Sequence, residues 1–108
     1  MASTPTPQPA ASDPVQVDSK HYSVELENDK VRVLRIRYGP HEKSQMHSHP
    51  ALVAVCLNDA HCRFTYPDGR TEEVSMKAGQ VMHFDAIEHD PENIGDEAFE
   101  IIGVELKV

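Results

Sequence analysis

Three histidines carry the chemistry most plainly written in this chain. His47 and His49 stand one residue apart in Gln45-Met46-His47-Ser48-His49-Pro50, and His89 follows in a later segment of similar design. On an extended chain a His-x-His pair puts both imidazoles on one face, because strand side chains alternate between faces. Both rings can then reach one metal ion, and His89 can complete the set. Three neutral imidazoles suit Zn, Fe, Ni or Cu and leave positions open for water or substrate. With no carboxylate among the ligands, the ion keeps its full charge, which favours an anionic small-molecule ligand or a metal-bound hydroxide. The plain alternative is a pair of loop histidines with no ligand role.

The other polar candidates say less. His61 and His83 fall on strands and could face inward, although a surface or hydrogen-bonded histidine is the commoner case. His41, in a loop, and His21, before the first strand, are expected at the surface. Gln45 keeps the parity of His47 and could touch a bound ligand, while a glutamine there is more often solvated. Met46, Met76 and Met82 are expected to fill core gaps. Tyr38, Tyr66 and Phe84 fit core or cavity lining, and Arg35 and Arg37 an exposed strand face. No general base can be named. Phosphate-binding glycine loops and Gly-x-Ser-x-Gly elbows do not occur. Cys56 and Cys62 flank Asn58-Asp59-Ala60, and two reduced, half-buried thiols are expected there rather than a disulfide.

The elements that must position the histidines are strands. Tyr22, Val24 and Leu26 alternate with polar residues; Asn28-Asp29-Lys30 is turn chemistry; Val31 to Tyr38 alternates again, and the two segments read as a hairpin. Ala51 to Leu57 is a nearly continuous apolar run whose valines and short length favour a strand buried on both faces. His61 to Tyr66 and Arg70 to Met76 flank Pro67-Asp68-Gly69, a strong hairpin turn. Val81 to Phe84 is a short strand, Asp85 to Glu88 reads as a loop leading to His89, and Pro91 marks Asp90 to Asn93 as an edge or irregular strand. A long strand from Ala98 closes the chain. Short strands with frequent turns and no long helix indicate an all-β sandwich or barrel.

Residues 1–17 are rich in Pro, Ala, Ser and Thr, hold too little apolar surface to offset ordering entropy, and read as a flexible arm ahead of a domain over 18–108. The chain has 108 residues, enough for one modest core that a dimer interface would support. Its net charge of -8, from 18 acidic and 10 basic residues, argues against a nucleic-acid partner. Neither a transmembrane run nor a signal or transit peptide is recognisable, which makes the cytoplasm the default.

With these residues in view, the chain resembles a small single-domain cupin of the RmlC-like kind, a jelly-roll β-barrel. The first cupin motif is a glycine, a His-x-His and a glutamate; here Gly39 precedes His47-Ser48-His49. The second is a Pro-x-Gly loop, a histidine and, four residues on, an asparagine; here His89 is followed by Asn93, and Gly79 matches the preceding turn. The resemblance spans about residues 30 to 106 and implies a divalent metal on His47, His49 and His89, a small-molecule ligand and a homodimer. A three-histidine site resembles that of thiol dioxygenases of this superfamily, implying a metal-dependent dioxygenase or other small-molecule oxidoreductase. Two departures stand out. The family's glutamate falls at Val53 or Ala54, and Asp85-Ala86-Ile87 replaces Pro-x-Gly. The missing glutamate keeps two alternatives open: a non-catalytic binding or sensing cupin, and a structural cupin with a degenerate metal site. Small cupins ending in Glu-Leu-Lys, as at Glu105-Leu106-Lys107, resemble proteins assigned to β-alanine breakdown.

Overall fold

The structure, a computed structural model, describes residues 12–107. The arm expected over residues 1–17 therefore lies outside the described residues as far as residue 11. From Ser12 onward the chain packs on the body of the fold. Asp13 caps a single helical turn, α1 (Pro14–Val17), by accepting the Val15 amide at 3.1 Å, and Pro14 occupies a first-turn position where its missing N–H costs nothing. Pro14 is buried and Val15 packs against the core.

Nine strands follow: β1 (Tyr22–Glu27), β2 (Val31–Tyr38), β3 (His47–His49), β4 (Leu52–Cys56), β5 (Ala60–Thr65), β6 (Thr71–Met76), β7 (Val81–Phe84), β8 (Ile87–Asn93) and β9 (Phe99–Leu106). They form a five-stranded sheet, β1-β2-β9-β4-β7, and a four-stranded sheet, β3-β8-β5-β6, with antiparallel pairings. This is the all-β jelly roll anticipated, built as two sheets that do not close into a continuous barrel.

Period-two patterning decides what goes inside. Leu34, Ile36 and Tyr38 of β2 and Phe99 and Ile101 of β9 meet Cys62, Phe64 and Met76 of the other sheet in one core. Leu34 is fully buried, which stabilises the fold by about 2 kcal/mol. The turns are chemically specified. Asn28 Oδ1 accepts the amides of Lys30 and Val31 at 2.8 and 3.0 Å between β1 and β2, and Gly69 takes φ 89° between β5 and β6.

Two strand readings need correction. β4 is buried on one face only: Leu52, Ala54 and Cys56 enter the core, whereas Val53 and Val55 lie half-buried on the outer face of their sheet. β8 starts at Ile87, within the presumed loop, and runs between β3 and β5 despite Pro91. The proline is tolerated because β3 pairs only with Ile87 to His89. Beyond that point β8 is flanked by the Lys43–Ser44 segment, and the Pro91 carbonyl accepts the Ser44 amide at 2.9 Å. The missing N–H thus faces the short isolated Lys43–Glu92 bridge rather than the continuous β5 ladder, and at most one bond is forgone.

Candidate metal centre

β3 and β8 bring the three histidines together. His47 is paired with His89 across the antiparallel ladder, and His49 shares the inward face of β3 with His47. All three are buried, and one ring nitrogen of each lies within 4.8 Å of the others. The rings meet edge to face, with centroids 4.9 Å apart for His47–His49 and His47–His89 and 5.4 Å for His49–His89.

Their hydrogen bonds fix which nitrogens are free. His47 Nδ1–H donates to the Gln45 carbonyl at 2.7 Å, and His49 Nδ1–H donates to Glu105 Oε2 at 2.7 Å. In the neutral form of each ring, this leaves Nε2 as the nitrogen with a free lone pair. His47 Nε2 and both ring nitrogens of His89 are buried without a hydrogen-bond partner among the described residues. Such orphaned atoms cost free energy in a core. Burial, with His49 adding to it, pushes His47 down to about 4; burial, with His47 and His49, pushes His89 down to about 2. Both are neutral at neutral pH, the form that binds metals. The donor set thus fits a divalent transition ion.

Around the histidines the wall is apolar. A cavity of about 60 Å³ is lined by His49 and His89 together with Ala54, Phe64, Phe84 and Phe99, among others. Tyr22 and Tyr38 also line it; their hydroxyls bond each other at 2.7 Å, and burial raises both phenols. Of the two positions where a cupin glutamate could stand, Ala54 lines this cavity and Val53 lies on the outer face.

Glu105 was missed in the sequence. It alternates inward with Phe99, Ile101 and Gly103, so it occupies a core position of β9. Arg32 sits directly opposite on β2, with Nε donating to Glu105 Oε1 at 2.8 Å. Burial alone would raise the Glu105 carboxyl, but the bonds from His49 and Arg32 outweigh it and hold the group below its ordinary range. The detectable signal was a charged residue on the inward parity of each strand.

The remaining candidates fall outside the cluster. His61, His83 and Gln45 are exposed; His61 faces Glu73 at 3.4 Å, and only the backbone of Gln45 serves the site. His41 is exposed as expected, 2.9 Å from Asp96. His21 is not. It is buried, stacked on Tyr38 at 4.2 Å, and its two ring nitrogens contact Asp18 at 2.8 Å and Glu42 at 3.0 Å. The two carboxylates compensate the burial of its polar edge, which composition alone did not reveal. Arg35 and Arg37 lie outside, paired with Glu25 and Glu100. Cys56 and Cys62 are unpaired and buried, and burial pushes the Cys62 thiol up to about 12.

No family model and no curated protein matches the sequence. Solved structures do match the fold. A cupin domain from Bordetella pertussis superposes with a TM-score of 0.74 at 22% identity, covering 81% of this chain and 92% of that one. A conserved protein with a double-stranded β-helix domain from Klebsiella pneumoniae gives 0.61 at 20% identity, over 80% and 75% of the two chains. The polyketide cyclase RemF from Streptomyces resistomycificus gives 0.58 at 18% identity, over 81% and 64%. The chain therefore has the cupin fold, the RmlC-like double-stranded β-helix, with a cluster of three histidines at its inner face.

Proposed function

We propose that this protein is a metal-binding cupin that holds a divalent transition ion (Fe, Zn, Ni or Cu) on His47, His49 and His89. The observation carrying this reading is the convergence of three buried ring nitrogens within 4.8 Å, with His47 and His89 bearing nitrogens that have no protein partner. A bound ion would supply Lewis acidity and, where redox-active, electron transfer to or from a substrate or dioxygen. The activity we assign is a dioxygenase-type or related oxidoreductase reaction on a small molecule.

The protein's own groups bind and shield. The apolar wall excludes water and admits a body of only a few heavy atoms. Among the described residues no Lys or Arg lines the cavity, so the charge of an anionic ligand is met at the histidine cluster itself. A second reading, a binding or sensing module without turnover, is favoured by one observation. The hydroxyl-bearing side chains in the cavity wall, Tyr22 and Tyr38, are held protonated by burial, and among the described residues no carboxylate lines it. The partner we assign is a second copy of the chain: β1 is a sheet edge with Val24 and Leu26 43% and 55% exposed, which a paired edge would cover. The two unpaired cysteines suit a reducing compartment, the cytoplasm.

Elemental analysis of untagged protein tests the metal, with near-stoichiometric content expected. A His49→Ala variant that keeps full metal content would sink the ligand assignment. Oxygen uptake by iron-loaded protein with a panel of thiols and small acids separates the two readings: uptake supports the enzyme, ligand binding without uptake the module. Sedimentation at micromolar concentration should show a dimer, and a monomer alone would refute the pairing.

A further inference from the structure

The contacts of His49 do not end at Glu105. They continue through Arg32 to the segment ahead of α1, where the sequence promised only a loose arm. Glu105 divides its two oxygens: Oε2 accepts His49 Nδ1–H at 2.7 Å and Oε1 accepts Arg32 Nε at 2.8 Å. The far end of the guanidinium is taken by Asp13 in a two-pronged contact, Nη1 to Oδ2 at 3.0 Å and Nη2 to Oδ1 at 2.9 Å. The same segment grips β3 directly, since the amide of Ser48, between the two histidines, donates to the Ser12 carbonyl at 2.8 Å.

We propose that Asp13, Arg32 and Glu105 are positioning residues for the histidine cluster, so that the segment at Ser12–Asp13 helps build the metal site. The inference rests on the metal reading above. Its physical logic is stepwise. A carboxylate on a ligand's Nδ1–H fixes the tautomer and ring angle and makes Nε2 a better donor. It does so only if the carboxylate cannot turn. Arg32, always charged and planar, fixes the plane of Glu105 through one oxygen and leaves the other to His49. Asp13 in turn locks the guanidinium, and it is itself held as the cap of α1. The side chains of Glu105 and Arg32 are 3% and 16% exposed, so water does little to screen the inner contact, whereas the Asp13 side chain, 37% exposed, is screened more. The plain alternative is a pin that tethers the N-terminal segment and leaves the histidines unaffected.

Cobalt(II) titration of the full chain, followed by its visible ligand-field bands and by chelator competition, separates the two. Glu105→Gln should weaken cobalt binding about 10- to 100-fold. Asp13→Asn keeps a good helix cap while removing the charge. It should weaken binding by a smaller factor, shift the bands, and add nothing further once Glu105→Gln is present. Arg32→Lys, which keeps the charge but not the fork, should act like Asp13→Asn and gives an independent reading should one variant fold poorly. Variants with wild-type affinity and unshifted bands, or Asp13→Asn and Glu105→Gln effects that simply multiply, would overturn the proposal. Failure of the wild-type chain to bind cobalt would instead remove the metal reading on which it rests.

Discussion

His47 stands directly opposite His89 in the β3–β8 ladder, and each carries buried ring nitrogen that no protein group satisfies. In the metal-free chain these atoms are a liability, because the fold desolvates them and returns no hydrogen bond. His89→Leu should therefore stabilise the metal-free protein by roughly 1–3 kcal/mol, the cost of an unsatisfied buried polar group. The same change should abolish stoichiometric metal binding. Urea unfolding in the presence of a chelator, set beside elemental analysis, checks both halves. A destabilised His89→Leu protein would mean that the ring is retained for packing.

Asn93 shows the opposite economy, with every polar atom of its side chain in use. It is 1% exposed; its Nδ2 donates to the Gly39 and Glu97 carbonyls at 3.0 and 2.8 Å, and its Oδ1 accepts the Gly95 amide at 2.9 Å. One side chain thus ties the end of β2 to the turn before β9. Asn93→Ala should destabilise by about 2–4 kcal/mol, since it removes three hydrogen bonds to partly buried backbone groups and empties a buried side-chain position. Thermal melting reads this directly, and a loss below half a kcal/mol would contradict it.

Much of this was legible in the sequence, for reasons that differ by residue. The His-x-His pair and its partner His89 could be read because period-two parity assigns faces without knowledge of the partner strand. The Asp68-Gly69 turn could be read because positive φ is a local demand. Glu105 and Arg32 could not be connected, because their pairing depends on the β2–β9 register, set by residues 73 positions apart. His21 was misplaced for the same reason: the two carboxylates that permit its burial come from Asp18 and Glu42, on separate segments. Pro91 argued for an edge or irregular strand by a sound rule, and the short reach of β3 lets β8 lie inside its sheet.

Glu42 sets an acid limb to the stability curve. The Lys20 ammonium, the Gly39 amide and His21 together hold its carboxyl down to about 2, against an ordinary 4.5. The unfolded chain therefore takes up a proton near 4.5 while the folded chain resists until near 2. Between those values the unfolded state binds more protons, so this contribution is complete above 4.5 and is lost as the pH falls toward 2. Glu42→Gln should flatten the decline of the urea midpoint over that window. An unchanged slope would show that other carboxylates govern acid unfolding.

Tyr22 and Tyr38 form a hydrogen-bonded pair at the cavity wall. Their hydroxyls lie 2.7 Å apart, and the residues are only 3% and 2% exposed. Removing one hydroxyl leaves the other buried without this partner, whereas removing both takes the pair away together. Tyr22→Phe and Tyr38→Phe should each destabilise by about 1–2 kcal/mol, and the double variant should lose less than their sum by about 1 kcal/mol. The same double variant enlarges and further dries the wall facing His49 and His89, so it should bind an apolar-tailed acid at least as well as the wild type. Urea unfolding of the four proteins closes the cycle. Strictly additive losses would mean that each hydroxyl is satisfied independently of the other.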